Sequence, residues 1–236
     1  MTTRRFIRTV MCVAMAVVAG LFNAAPASAE TQETPSTVWT QPGGPGRVID
    51  GVGTWVYVAP QPPAGPNQLP ESYAYSLAFS FPNQASGFMS LTTGPGGKAA
   101  RLSLSTIVEV PYDWTPGRFY FLYVHHLQGG LWGGWVMDWV RGDWTYIGSV
   151  QAPAGYGLLG TSSRTRVWWP GSAGPAVGCA SYPRTDAYFF PTLGYTGAEW
   201  TIGTMGLQHV QEGDCDSQTE MLSNGWVHYR LGADPA

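Results

Sequence analysis

Among the residues able to do chemistry, the carboxylates cluster late in the chain. Glu212-Gly213-Asp214-Cys215-Asp216 is followed by Gln218 and Glu220. A glycosidase needs two carboxyl groups about 5–5.5 Å apart for retention, or about 6.5–9.5 Å apart for inversion. On an extended chain alternate residues share a face, so these acids could line up like the acid-bearing strand of a sandwich glucanase. Gly213 and the neighbouring cysteine read instead as a loop, and the expected form is a solvated acidic loop beside a disulfide. Asp214, Asp216 and Glu220 also offer the hard oxygens that calcium takes, but without EF-hand spacing. No metal site and no cofactor is expected.

The histidines make no stronger case. His125 and His126 are adjacent, so on a strand they face opposite sides. His209 and His228 fall on separate strand candidates. The chain has no Gly-x-Ser-x-Gly elbow, no His-Glu-x-x-His pair and no phosphate loop. No motif identifies a reaction, and the expected class is non-catalytic.

Aromatic residues are what this chain has in excess: 11 Trp, 12 Tyr and 9 Phe. Most must be core, because aromatic rings dominate burial, and Trp114 and Tyr120 read as packing. Trp132, Trp135, Trp139 and Trp144, however, crowd one hairpin with more tryptophan than a sheet face usually buries. Trp135, Met137 and Trp139 share one strand face, which sets the two tryptophans roughly 13 Å apart. That is close to the spacing of alternate rings in an extended polysaccharide. These four tryptophans are the candidate ligand-binding residues, set against the competing expectation of a Trp-rich core. Gly133 and Gly134 would let ligand approach the backbone, and Asp138 would point to the other face.

The elements that must position these residues are strands. Gly (31) and Pro (19) leave few windows for a helix, and apolar residues alternate with period two. In Ser72 to Phe81, Tyr73, Tyr75, Leu77, Phe79 and Phe81 oppose Ala74, Ser76, Ala78 and Ser80. Arg101 to Val110 repeats the scheme as a single strand. Arg118 to His126 is apolar on both faces and reads as a central strand covered on both sides. Thr54 to Ala59, Gly87 to Thr93, Trp135 to Val140, Trp144 to Val150, Leu158 to Ser163, Arg166 to Trp169, Thr201 to Val210 and Gly225 to Arg230 complete the set. Gly- and Pro-rich turns separate them. The expected fold is all-β: a two-sheet antiparallel β-sandwich, jelly-roll-like, with one disulfide. Pro60 to Pro70 is a surface loop, residues 30–45 an N-terminal tail, and residues 46–236 a single domain.

The N-terminus has the form of a secretory signal. Arg4, Arg5 and Arg8 precede an apolar run from Val10 to Phe22, and Ala27-Ser28-Ala29 is a small-x-small cleavage site. That run is shorter than the roughly 20 residues that span a bilayer. Cleavage after Ala29 makes 1–29 the signal peptide and the product extracellular, with no membrane association. It removes three arginines and no acids, so 12 basic and 15 acidic residues become 9 and 15, a net charge of −6. That balance speaks against a nucleic-acid partner, which needs a basic patch. The 11% charged residues compare with about 25% in ordinary domains, and a neutral polar surface suits a neutral polymer. Cys12 leaves with the signal, so Cys179 and Cys215 are expected to pair. Closing that loop would stabilise by about 4 kcal/mol in the chain-entropy picture.

With the strands placed, the order of motifs carries a resemblance. An aromatic strand is followed by Asn83 and Gly87-Phe88-Met89-Ser90-Leu91, then by the strand holding Leu102-Ser103-Leu104-Ser105. Next come a Tyr-x-Trp-x-x-Gly-x-x-Tyr segment at Tyr112 to Tyr120, the Trp-rich hairpin and Ile147-Gly148. This resembles secreted bacterial members of an uncharacterised family, the domain of unknown function numbered 3472. Cys179, Pro183, Ala187, Phe189 and Pro191 look like its actinobacterial forms. Where that family has an acidic, Gly-rich stretch before the Tyr-x-Trp segment, this chain has Ser105 to Val110. The resemblance spans roughly Val38 to Leu231 and implies export and a β fold, but no activity.

Residues and resemblance together lead to a secreted, non-catalytic β-sandwich module whose expected partner is carbohydrate or another cell-envelope polymer. The alternatives are a glycan-active hydrolase using the late carboxylates and a structural or self-associating surface protein. The residues do not specify an oligomeric state.

Overall fold

Alternating residues become strands along nearly the whole chain in the computed structural model, which describes residues 36–41, 47–83, 85–169, 181–209 and 217–234. In chain order the strands are β1 (Ser36–Thr40), β2 (Val48–Ile49), β3 (Gly51–Val58), β4 (Ala74–Ser80), β5 (Ser86–Thr92), β6 (Ala99–Ser103), β7 (Ile107–Pro111), β8 (Phe119–His126), β9 (Leu131–Asp138) and β10 (Asp143–Gln151). They continue with β11 (Leu159–Gly160), β12 (Ser162–Trp168), β13 (Thr185–Phe189), β14 (Leu193–Tyr195), β15 (Trp200–Ile202), β16 (Thr204–His209), β17 (Gln218–Met221) and β18 (Val227–Leu231). Two large antiparallel sheets result, with β2 and β11 paired as a separate two-stranded ribbon. One runs β16-β1-β12-β4-β5-β6-β7 and the other β10-β9-β8-β3-β13-β18-β17, with β14 and β15 joined to the second through β3. β13 pairs with Val56 to Val58 and β14 with Gly51 to Gly53, so the two lie end to end along one side of β3. The all-β two-sheet class is the expected one.

The inner faces meet in an aromatic and aliphatic core. Trp39, Tyr75, Leu77, Phe79, Met89 and Leu102 come from the seven-stranded sheet, and Val56, Leu122, Val136, Phe189, Val227 and Tyr229 from the other. Polar bonds cross between the sheets inside this core. The Tyr229 hydroxyl is 2.7 Å from Thr165 Oγ1 and accepts the Thr37 amide at 3.2 Å. The Tyr75 hydroxyl is 2.7 Å from Thr185 Oγ1. Buried polar atoms need such partners, and these bonds tie the two sheets at defined points. Trp114 is also core, its indole donating to the Thr92 carbonyl at 2.9 Å.

Several boundaries differ from the reading of the sequence. Residues 30–45 are not all tail: Ser36–Thr40 is an internal strand between β16 and β12, with Trp39 and Thr37 buried. Arg101 to Val110 is a hairpin rather than one strand, turning at Leu104 to Thr106. The alternation runs unbroken through the turn, which hides it, while Arg101 and Glu109 end up opposite each other, 2.6 Å apart. Arg166 to Trp169 and the end of Leu158 to Ser163 merge in β12. Thr201 to Val210 divides at Gly203, whose Cβ would crowd Gln41 and Thr192. The small face of β4 is buried too: Ser76 is inaccessible, bonded to Ser90 Oγ at 3.0 Å and accepting the Trp168 indole at 2.8 Å. Cys179, Cys215, Glu212, Asp214 and Asp216 lie outside the described residues, and with them the expected disulfide and the acidic cluster.

Candidate ligand-binding face

Strand alternation decides which aromatics leave the core. On β3, Val52, Thr54, Val56 and Val58 are buried toward the other sheet, so Gly51, Gly53, Trp55 and Tyr57 take the outer face. β8 places Phe119, Phe121, Tyr123 and His125 beside them, with Tyr57 opposite Phe119, Trp55 opposite Phe121 and Gly53 opposite Tyr123. β9 adds Trp135 opposite Tyr123 and Met137 opposite Phe121. β10 adds Tyr146 opposite Trp135 and Trp144 opposite Met137. Four adjacent strands therefore point rings in one direction.

Glycines allow those rings to lie down. A Cβ at Gly53 would collide with the Phe121 ring, and one at Gly51 would sit 3.0 Å from the Tyr123 ring. Both rings lean over β3 and meet the β14–β15 hairpin, Tyr123 to Trp200 at 5.1 Å and Phe121 to Trp200 at 5.9 Å. Trp55 touches Phe121 at 4.9 Å and Trp139 edge-on at 5.2 Å. Trp135 meets Tyr146 at 5.1 Å, and Trp144 meets Phe121 at 6.0 Å. Tilted and edge-on contacts at these distances are the favoured aromatic geometries. The result is a continuous aromatic field. Phe121 is its buried centre, while Trp139, Trp144, Tyr146 and Trp200 remain 63%, 50%, 50% and 45% exposed at its rim.

Three of the four candidate tryptophans, Trp135, Trp139 and Trp144, are on this face. Trp132 is not, which corrects its assignment to the platform. It is fully buried on the core side of β9, edge-on to Phe81 at 5.5 Å and 5.1 Å from His126. The reason is parity: an odd separation from Trp135 puts it on the opposite face. The two glycines also do other work than expected. The space above Gly133 is filled by the Trp135 ring, and Gly134 faces the core, where a Cβ would sit 3.1 Å from Met89 Sδ. Asp138 does point away from the field. Buried, it ion-pairs with Arg118 at 3.4 Å and Arg141 at 3.6 Å and accepts the Val140 amide at 2.9 Å, anchoring the turn that carries Trp139.

Reading the sequence missed Trp55, Tyr57, Tyr123, Tyr195 and Trp200. The signal was present in Gly51-x-Gly53-x-Trp55-x-Tyr57 and in Phe119-x-Phe121-x-Tyr123. β8 is indeed central, but its outer face is covered by neighbouring rings and not by another layer, and Phe119 stays 38% exposed.

At one end of the field Tyr57, Phe119, Tyr188, Leu222, Asn224 and Trp226 surround a recess of about 390 Å³. Beside it the His228 ring stacks on Tyr188 at 4.5 Å, and its Nε2 is 2.8 Å from Asp186 Oδ1. Arg184 holds the same carboxylate at 2.6 Å. Among the described residues no hydroxyl or thiol bonds to His228, so no nucleophile completes a triad there. His209 and His228 lie on different sheets. At the other end the His125 ring stacks on Tyr123 at 5.7 Å, with Nδ1 3.0 Å from the Asp50 carbonyl. Burial, with Tyr195 and Asp50 adding to it, pushes the Tyr123 phenol well above its ordinary value, so it is a neutral hydrogen-bonding group. Among the described residues no three His, Cys, Asp or Glu side chains converge as a metal site, and Glu220 is exposed on β17.

No family model and no curated protein matches this chain. Solved structures share its fold. A scytalido-glutamic peptidase with a transition state analog inhibitor is 10% identical, with a TM-score of 0.55 over 85% of this chain and 98% of that one. The same peptidase with a peptide based transition state analog gives a TM-score of 0.52 at 10% identity, over 85% and 98% of the two chains. SCP-B, a member of the Eqolisin family of peptidases in a complex with the tripeptide Ala-Ile-His, gives 0.50 at 9% identity, again over 85% and 98%. At such identity the likeness is one of fold.

Proposed function

We propose that this protein works outside the cell as a non-catalytic binding module, holding an extended polysaccharide or related cell-envelope polymer on the aromatic face of the nine-stranded sheet. The observation that carries the proposal is the rim of Trp139, Trp144, Tyr146 and Trp200 around a packed aromatic centre. A contiguous apolar surface of this kind marks an interaction site. Rings anchored by neighbouring rings lose little freedom when a ligand stacks on them, so more of the contact energy appears as affinity. Low overall charge favours a neutral partner over a polyelectrolyte.

A second reading is an extended peptide as the ligand, suggested by fold relatives whose structures hold a peptide based analog and a tripeptide. Peptidase activity is less well supported. The described glutamates Glu71, Glu109, Glu199 and Glu220 are all exposed, and none has the desolvated setting that tunes a catalytic carboxyl group.

Pull-down of the purified protein on insoluble polysaccharides and cell walls tests the proposal, with Trp139→Ala and Trp144→Ala as variants and circular dichroism as folding control. Each variant is expected to weaken binding about tenfold or more, the size of a tryptophan hot spot. Folded variants that bind as well as the parent refute the proposal. Competition by an apolar peptide, without retention on any polysaccharide, selects the peptide reading.

A further inference from the structure

Four rings, Tyr57, Phe119, Tyr188 and Trp226, line the recess of about 390 Å³ at the end of the aromatic field, together with Leu222 and Asn224. Register sets Glu220, His228, Tyr188, Tyr57 and Phe119 side by side in one row across β17, β18, β13, β3 and β8. The turn between β17 and β18 supplies the remaining wall. In it the Leu222 amide donates to the Trp226 carbonyl at 2.8 Å, and Asn224 Oδ1 accepts the Trp226 amide at 3.1 Å. Trp226 is held 5.7 Å from Phe119, at 68° to it, while Tyr57 stands at 39° to Phe119 and 56° to Tyr188. Rings so inclined do not make the flat platform on which a sugar stacks. They enclose a small rounded group. The His228 ring braces the wall from outside, lying on Tyr188 at an interplanar angle of 7°.

Charge around this box favours a cation. The Arg184 guanidinium is neutralised by Asp186 at 2.6 Å and Asp234 at 2.9 Å. Arg230 lies opposite Asp186, on the side of His228 away from Trp226, and bonds Gln218 at 2.8 Å. Glu220, opposite His228, is exposed, and among the described residues its side chain makes no ion pair or hydrogen bond. Partial burial raises the Tyr188 phenol above its ordinary value, with Asp186, Tyr57 and, least, Glu220 adding to it against Arg184. The carboxylates are thus felt at the wall of the recess, in a chain whose net charge is negative. The cation–π contacts found among the described residues lie elsewhere, Lys98 on Trp114 and Arg166 on Phe88 and Trp168.

We infer that this box binds a quaternary ammonium group of the choline type, carried by a small soluble molecule. Aromatic faces attract such a cation through their quadrupoles. Its methyl groups bury against the rings and leave no hydrogen-bond donor unpaired. An unmethylated ammonium would bring three donors into walls whose side-chain acceptors are two phenols and the Asn224 amide. The acidic balance of the chain works against docking on an anionic bilayer, which leaves a soluble source. This site does not depend on the polymer reading of the exposed rim.

Titration of the folded protein, followed by tryptophan fluorescence and calorimetry, tests it with choline, tetramethylammonium and 3,3-dimethylbutan-1-ol, the neutral isostere of choline. Both cations are expected to bind saturably, and the isostere about tenfold more weakly or worse. Trp226→Leu keeps an apolar wall without its largest ring and should weaken choline binding about tenfold or more. Glu220→Gln, at an exposed position, should weaken it about twofold at low salt and not at high salt. If Trp226→Leu does not fold, Tyr188→Leu and the isostere comparison, which needs no variant, decide. Equal affinity for the isostere, or unchanged choline binding in folded Trp226→Leu, overturns the site. Capture by phosphatidylcholine vesicles without binding of free choline overturns the soluble source. Choline binding without retention on any polysaccharide sustains this site while removing the polymer proposal.

Discussion

Removal of a single oxygen, in Tyr229→Phe, tests how the two sheets are held together. The phenol stands on β18, and its hydroxyl reaches across to the other sheet. It donates to the Thr165 carbonyl at 2.8 Å, lies 2.7 Å from Thr165 Oγ1 and accepts the Thr37 amide at 3.2 Å. Thr165 Oγ1 keeps a partner in the variant, because the Trp39 indole donates to it at 3.0 Å. The Thr37 amide is the group at risk. It sits on β1 where the register with β16 shifts, and Thr37 is fully buried. An orphaned buried amide costs about 1–3 kcal/mol, and the lost hydroxyl bond to Thr165 adds about 1 kcal/mol. The expected loss is therefore about 2–4 kcal/mol, or roughly 4–16 °C in Tm for a chain of this size. Urea unfolding followed by tryptophan fluorescence measures it, and the slope should be unchanged because the same surface is exposed on unfolding. Tyr195→Phe is the control. Its hydroxyl donates to the Gly197 carbonyl at 3.0 Å in an exposed loop, so the change should stay within about 0.5 kcal/mol. A Tyr229→Phe loss no larger than that of Tyr195→Phe would refute the bridge between the sheets.

Alkaline pH should destabilise the protein through its buried phenols. Burial pushes Tyr75 and Tyr229 far above the ordinary value, and the half-buried Tyr112 up to about 12. Because the folded state holds these groups neutral, their contribution is complete below the unfolded value of about 10 and is lost as pH rises toward the folded values. Tyrosinate absorbance should accordingly remain incomplete until the fold is lost, and full ionisation with intact near-UV dichroism would contradict this. Export and the Cys179–Cys215 bridge are tested by intact mass before and after alkylation. The expected product begins at Glu30 and takes up alkylating agent only after reduction; two free thiols in exported protein would remove the bridge.

Class and strandedness were legible in the sequence because both follow from local periodicity. Tyr75, Leu77 and Phe79 share a face whatever lies opposite them, and the same is true of Phe119, Phe121 and Tyr123. Hairpin turns were less legible where alternation continues through them, as between Arg101 and Glu109. β1 was missed because a five-residue strand in a Pro- and Gly-flanked segment shows its burial only through its partners on β12 and β16.

For the candidate site, the chain alone determined that tryptophan is concentrated around one hairpin and that Trp135 and Trp139 share a side. Trp132 was counted with them, and only the extension of β9 back to Leu131 brings it under the same parity and onto the other side. What tertiary structure decided is which side faces solvent, since a period of two assigns residues to faces but does not say which face another sheet covers. It also assembled the field from β3, β8, β9, β10 and the β14–β15 hairpin, whose members are far apart in sequence. Gly51 and Gly53 show the difference well. In the sequence they weaken a strand; in the fold their missing side chains let Phe121 and Tyr123 lie across β3 and reach Trp200. Strand order is a long-range choice, made by the core as a whole, and local spacing carries no record of it.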